Sequence, residues 1–368
     1  MTRYRLELAG PADDEDLRHV LACTPMPGDI ALTFRREPSF FRGAGVDGFQ
    51  RQIVACRDTE TGRIVGFGCR SLRKLHVNGV VRTIGYLSTI RLLAEHRNLG
   101  LLARGYRFFR DLHQDGQAPF YLTTIAESNE AALRLFTSGR AGLPTYHAAG
   151  TYVTVALPAG KRNPPRLTGG MSVRRATDGD WSAILAFLAT HGPRRQFFPS
   201  YSMLDVATPA GALFGLAAND VRLAVRNDEI VGVLAGWRQQ SFRQTIVHNY
   251  AGWLRWLRPV YNSWTWLRGR PMLPSPGEPI RYITAALPVV ANDDTGVFDA
   301  LLQTLLFEAT DCDYVAVGMA EGDPHLPVVR RLGGTAYATR IFHVCWPDGD
   351  AERLKLDGRP TYLELGSL

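Results

Sequence analysis

No stretch of this sequence reaches the ~18 consecutive apolar residues that a membrane-crossing helix needs, and the opening MTRYRLELAG lacks the unbroken apolar core of a signal peptide. Cysteine is scarce. Cys23, Cys56, Cys69, Cys312 and Cys345 are odd in number and scattered, with no CxxC pair and no disulfide framework. The expectation is a cytoplasmic protein whose cysteines serve as small core residues. There is no HExxH or Cys/His cluster for a metal, no GxSxG elbow for a serine hydrolase and no GxxxxGK phosphate loop for an ATPase. A lysine-rich run, zinc-finger spacing and an RNP-like aromatic motif are also absent. The net charge of +7 is therefore expected to serve anionic cofactors and substrates, not nucleic acid.

What is present is a soluble-type composition, 45% hydrophobic and 21% charged, spread over 368 residues, which is comfortable for two domains. The most informative stretch is Tyr86 to Gly105, YLSTIRLLAEHRNLGLLARG. Leu87 to Leu92 reads as a strand, His96 to Asn98 as a turn, and Leu99 onward, through Tyr106 and Phe109, as an amphipathic helix. A helix N-terminus presents unpaired N–H groups and a positive dipole end, which suits a phosphate. Gly100 lets the backbone approach closely, and Arg97 adds charge. The physical reading is a diphosphate cradle; the bland one is an ordinary crossover with a solvated arginine.

A second segment follows, FYLTTIAESNEAALRLFTSG from Phe120 to Gly139. Its β-rich apolar run ends at Ile125. Asn129 is a plausible N-cap, Ala132, Leu135 and Phe136 recur at helical spacing, and Gly139 is a stop signal.

The spacing of the first turn resembles motif A of the GNAT acyltransferases, Arg/Gln-x-x-Gly-x-Gly/Ala, with Arg97, Gly100 and Leu102 at the three positions; Leu102 departs from the family's small residue. The upstream Ile90-Arg91-Leu92 resembles the end of the family's fourth strand, whose backbone pairs with the pantetheine arm of coenzyme A. Asn129, Ala132, Leu135 and Gly139 resemble the fifth strand's following helix, Asn-x-x-Ala-x-x-Leu-Tyr-x-x-x-Gly. The resemblance implies acetyl-CoA, or another acyl-CoA, held by Ile90, Leu92, Arg97, Asn98, Leu99, Gly100, Leu101, Leu102, Asn129 and Phe136. The family's Tyr, often the acid that protonates the leaving thiolate, is Phe136 here. That leaves the acid to be found elsewhere, with Tyr146 and Tyr152 as candidates. Glu127 is the base candidate, with Glu95 and His96 weaker ones.

The chain also repeats itself. Ala126-Glu127-Ser128-Asn129 is matched by Ala320-Glu321-Gly322-Asp323, and Gly139 by Gly333, each ten residues beyond the Asn or Asp. Ile53 to Ser71 and Val221 to Trp237 both read as strand, turn, strand, and each half opens with a strand and an acid-capped helix, at Asp13–Asp14 and at Asp178 and Asp180. The expected fold is α/β, two GNAT-like domains, each a central mixed β-sheet with helices on both faces. They should occupy 1–157 and 171–350, joined by a Pro/Gly-rich linker at 158–170 and followed by a tail at 351–368.

In the second half, Asp293-Asp294-Thr295-Gly296 stands where the first has Arg97-Asn98-Leu99-Gly100. Two carboxylates suit an empty helix N-terminus and oppose a diphosphate: like charges ~4 Å apart repel by about 4 kcal/mol at an effective dielectric near 20. One active domain and one degenerate domain are expected. The second half further carries an insertion, 239–279, with Trp253, Trp256, Trp264 and Trp266 among arginines. It reads as a helical hairpin with its Trp in the core, as a lid, or as a membrane-surface segment, although Pro259 and Pro271 should break a long helix. The functions in play are N-acetyl transfer to a small-molecule, peptide or protein amine, an acyl-CoA sensor without turnover, and a longer-chain acyltransferase at a membrane. No motif encodes the acceptor.

Overall fold

The computed structural model describes residues 3–97, 99–139, 142–160, 167, 170–267 and 271–368. The first half runs β1 (Tyr4–Leu8), α1 (Asp14–Ala22), β2 (Ile30–Arg35), β3 (Gln50–Asp58), β4 (Ile64–Val77), β5 (Val80–Leu92), α2 (Leu99–His113), β6 (Tyr121–Ala126), α3 (Glu130–Phe136) and β7 (Thr145–Pro158). The second runs β8 (Met171–Arg175), α4 (Trp181–His191), α5 (Met203–Ala207), β9 (Val221–Arg226), β10 (Glu229–Trp237), β11 (Gln244–Tyr250), α6 (Gly252–Leu267), β12 (Tyr282–Val290), α7 (Thr295–Glu308), β13 (Tyr314–Ala320), α8 (Leu326–Arg331) and β14 (Thr335–Cys345).

Local signals place many of these elements. Asn227 and Asp228 both take positive φ in the tight β9–β10 turn, the conformation a two-residue hairpin needs. Asn129 caps α3, its side chain accepting from Ala132 N at 3.2 Å, and Gly139 takes φ +63 beyond the helix end. α1 and α2 pack on opposite faces of the first half, as α4 and α7 do in the second.

The two expected sheets are joined as one. Twelve strands follow the order β1-β3-β4-β5-β6-β14-β7-β13-β12-β10-β9-β8. At the centre the halves exchange their last strands. β14 pairs antiparallel with β6, Val344 opposite Tyr121, while β7 pairs antiparallel with β13, Pro158 opposite Tyr314. Each strand thus completes the other half, and the split at 158–170 separates the halves along the chain but not in the sheet. The segment expected as a tail is also built in: Leu363 packs beside Tyr86 and Tyr152, and Tyr362 packs in the second half's core.

The insertion does lie between β10 and β12, and its β11 pairs with β2 of the first half. Two expectations for it fail. α6 runs unbroken through Pro259, and Trp253, Trp256 and Trp264 are exposed, not in the core. The helix survives its proline because its other face is clamped: Arg258 and Asn262 both donate to Leu273 O. The side chain of Trp266 lies outside the described residues. No helix among the described residues is long and apolar enough to cross a membrane.

Candidate functional site

β5 and β6 run parallel but pair only at Gly85–Tyr121 and Tyr86–Leu122. Beyond Tyr86 they separate, and the cause lies in β5. Its register with β4 shifts between Phe67–Arg91 and Cys69–Ser88, so Thr89 and Ile90 together face Gly68. This is a bulge, and Thr89 takes φ +53, a strained conformation for a β-branched residue. A glycine stands opposite, where a Cβ on Gly68 would sit tightly against the Phe109 ring at 3.0 Å. Two side-chain bonds tie the strands together at the narrow end of the wedge. Thr123 Oγ1 donates to Leu87 O at 2.8 Å, and the Tyr86 hydroxyl meets Thr124 Oγ1 at 3.0 Å. Ile90 and Leu92 turn their side chains into the apolar cores beneath α2, which leaves their backbone to the wedge.

β5 leads through a short helical turn, Ala94–His96, into α2. Arg97 and Gly100 are exposed at this junction; Asn98 and the side chain of Leu99 lie outside the described residues. Leu101 is buried against Cys56 and Val65, and Leu102 packs into the core that holds Phe109, so the larger residue at that motif position fills apolar space. His96 Nδ1 is 3.0 Å from the Tyr4 hydroxyl, and Glu95 is exposed.

Of the three candidate catalytic side chains, one adjoins Phe136. The Tyr146 ring stacks on Phe136 at 5.2 Å and 16°, and its hydroxyl is hydrogen-bonded to that of Tyr106. Burial pushes both phenols well above their ordinary range, so each holds a proton at neutral pH. Tyr152 lies elsewhere. It packs with Tyr86 and Leu122, whereas Phe136 packs with Leu87 and Tyr121, and neighbouring residues of a strand point to opposite faces. A bulge in β7 at its pairing with Ile341 and Phe342 turns Tyr152 to that other face, where its hydroxyl donates to Leu363 O at 2.9 Å. Glu127 stands at the end of β6 but is ion-paired with Arg340 of β14 at 2.6 Å. That partner comes from the other half of the chain and was not foreseeable locally. Tyr106 was visible only as part of an apolar helix stripe, and Thr123 and Thr124 only as two polar residues in a buried run.

The face opposite α2 is basic. Burial pushes the Asp47 carboxyl up, but Arg36, Arg51 and Arg243 outweigh this and hold it far below the usual range, at 2.9, 3.2 and 2.5 Å. Arg73 lies over the Tyr86 ring at 4.2 Å and donates to Ser367 O at 2.6 Å. Arg91 is opposite Phe67 in register and so projects on the α1 side. Its Nε is buried with no hydrogen-bond partner among the described residues, and burial pushes its guanidinium pKa down.

The second half repeats the scaffold and fills it. β12 and β13 pair from Tyr282–Tyr314 to Thr284–Ala316 and then part, and Leu287 takes φ +53 as Thr89 does. Here the Leu287 amide donates to Glu364 at 3.1 Å, and Glu364 also accepts from the Tyr362 hydroxyl at 2.6 Å and Gly366 N at 3.2 Å. At the start of α7, Asp294 accepts from Gly296 N at 2.9 Å and Val297 N at 3.2 Å. Arg195 pairs with Asp293 at 2.7 Å and Asp323 at 3.4 Å.

No protein-family model matches this chain, and no curated protein matches its sequence. Solved structures do match its fold. A GCN5-related N-acetyltransferase from Sphaerobacter thermophilus aligns over 100% of this chain and 99% of its own length, with a TM-score of 0.54 and 14% identity. The N-myristoyltransferase of Saccharomyces cerevisiae, solved with myristoyl-CoA, aligns over 94% of this chain and 83% of its own, with a TM-score of 0.61 and 10% identity. A glucosamine N-acetyltransferase region of a fungal multi-domain GH3 β-N-acetylglucosaminidase aligns over 92% of this chain and 38% of its own, with a TM-score of 0.59 and 14% identity.

Proposed function

We propose that this chain, which carries the GNAT fold in tandem, is an acyl-CoA-dependent N-acyltransferase with one site, in its first half. The observation that carries the reading is the wedge between β5 and β6, bulged at Thr89 beside the start of α2, against a second-half wedge whose bulge amide is already taken by Glu364. Acyl-CoA as substrate supplies the activated thioester. The residues fit it: the β5 backbone from Ser88 to Leu92 faces the wedge, and Arg97 and Gly100 stand at a helix N-terminus suited to phosphates. Asn129 spends its oxygen on capping α3, which leaves its amide N–H groups for a ligand.

Tyr146, protonated and stacked on Phe136, is the donor for the leaving thiolate. Glu127 is held in an ion pair with Arg340, and deprotonation goes through water or another group. That pairing, with Phe136 in place of Tyr, also favours a second reading, an acyl-CoA sensor without turnover. Two measurements separate them. Calorimetry with coenzyme A on the whole chain should give one site, and thiol release from acetyl-CoA should rise when an amine panel is added. No binding would overturn both readings; binding with no thiol release would favour the sensor.

A further inference from the structure

α6 is amphipathic in the reverse of the usual sense. Trp253, Trp256, Leu257, Val260, Trp264 and Leu267 recur at helical spacing along one stripe, and their exposure runs from 42% at Trp264 to 81% at Trp256. Three polar side chains, Arg258, Asn262 and Thr265, face inward instead, while Arg255 and Ser263 are exposed. Arg258 donates to Leu273 O at 3.1 Å and to Ser275 Oγ at 2.8 Å, Asn262 exchanges hydrogen bonds with the Leu273 backbone at 3.0 and 2.8 Å, and Thr265 is fully buried. The helix is held to the protein by its polar face and shows water its apolar one. A soluble surface does not leave a contiguous tryptophan-rich stripe exposed without a use for it.

We infer that α6 docks the protein on an anionic lipid surface, lying in the plane of the headgroups. Three observations favour lipid over a protein groove. Indole rings are suited to the headgroup boundary, where one edge is apolar and the other wet. α6 itself has no acid and carries Arg255 exposed; of the other Arg described from 241 to 281, Arg243 is paired with Asp47, Arg281 with Asp313, and Arg258 is turned inward, so Arg255 is the charge that complements anionic headgroups. At its N-terminal end the helix is tied to the first half, where the Asp29 carbonyl accepts from Ala251 N at 2.8 Å. Sixteen residues give a helix of ~24 Å, too short to cross a bilayer core of ~30 Å and suited to lying along it.

The test is sedimentation of the full chain with phosphatidylcholine vesicles, with and without phosphatidylglycerol. Wild type should pellet with the mixed vesicles, and Trp256→Glu or Val260→Glu should each lower partitioning about tenfold. Both positions point outward, so the variants should melt as wild type does. Should they not fold, shielding of wild-type tryptophan fluorescence from acrylamide by the vesicles gives the same answer. The inference is overturned if wild type fails to partition, if the variants partition equally, or if the stripe drives a concentration-dependent dimer that excludes vesicles.

Discussion

The two halves build the same wedge and finish it differently. In both, a strand bulges at a residue with positive φ, Thr89 in the first and Leu287 in the second, and the neighbouring parallel strand peels away. The second half closes the opening with its own carboxylates: Glu364 at the bulge amide, Asp294 on the first amides of α7 and Asp293 on Arg195. Both helices begin exposed, at Gly100 and at Gly296; the difference lies in what precedes them, Arg97 in the first half and Asp293 with Asp294 in the second. An internal carboxylate satisfies the amides that an acyl carbonyl or a phosphate would otherwise meet. A repeated scaffold can therefore keep its shape with its own acidic side chains on the bulge amide and the helix N-terminus.

The largest effect should come from making the first half resemble the second. Gly100→Asp sets a carboxylate where phosphates are expected and should weaken coenzyme A binding by roughly a hundredfold or more. Gly296→Asp crowds Asp294, 3.2 Å from the new Cβ, and costs some stability, yet it should leave affinity within about twofold. Calorimetry on both folded variants decides; equal affinities would mean the diphosphate site is misplaced.

Next is the proton donor. Tyr146→Phe should slow turnover by roughly a hundredfold, the lower end of what a positioned acid contributes, with coenzyme A affinity unchanged. Tyr152→Phe removes a bond to Leu363 O on the opposite face and should act on stability, by about 1 kcal/mol, with turnover kept. Thiol-release rates beside urea melts check the contrast, and a reversed pattern would move the acid to the other side of the sheet.

Glu364 tests the seal itself. Glu364→Gln weakens three hydrogen bonds in a buried network and should cost about 1–3 kcal/mol, without creating a second coenzyme A site. Burial raises its folded pKa above the ordinary value of 4.5. The native state then holds the proton to higher pH than the unfolded chain does. Its contribution to stability is full below that ordinary value and is lost as pH rises through the folded pKa. Urea melts between about pH 4 and pH 8 should show this loss in wild type and not in the variant. Asp47, with its pKa depressed, slopes the opposite way: its contribution is present above its ordinary value and fades as pH falls.

Much of this was legible in the sequence, because it rests on local signals. The strand–turn–helix at Tyr86 to Gly105, the Asn129 cap, the Asn227-Asp228 turn and the acidic start of α7 all rest on residues a few positions apart. What could not be read depends on contacts far apart in the chain. The exchange of β7 and β14 is a choice of partner between strands far apart in the chain, with Val344 opposite Tyr121 and Val315 opposite Leu157. The same exchange brings Arg340 to Glu127, a partner no local signal announces. α6 misled for a different reason. Tryptophan is read as core by default, and only the clamp from Leu273 shows which face turns inward.

The smallest expected effect is at Phe136. Its ring stacks on Tyr146 and meets Tyr106 edge-on at 6.0 Å, so a hydroxyl added there joins two phenols already in place. If Tyr146 is the donor, Phe136→Tyr in wild type should change turnover by no more than about threefold, since the proton is already supplied. In the Tyr146→Phe background the same substitution should recover part of the lost rate, because the new phenol stands beside the missing one. The two substitutions form a double-mutant cycle, and side chains in stacking contact are expected to couple by about 0.5–3 kcal/mol. Additive effects would place the two residues in separate roles and leave thiolate protonation to water. Coupling in stability alone, with turnover unmoved in all four proteins, would mark the Phe136–Tyr146–Tyr106 cluster as packing and shift the balance toward the sensor.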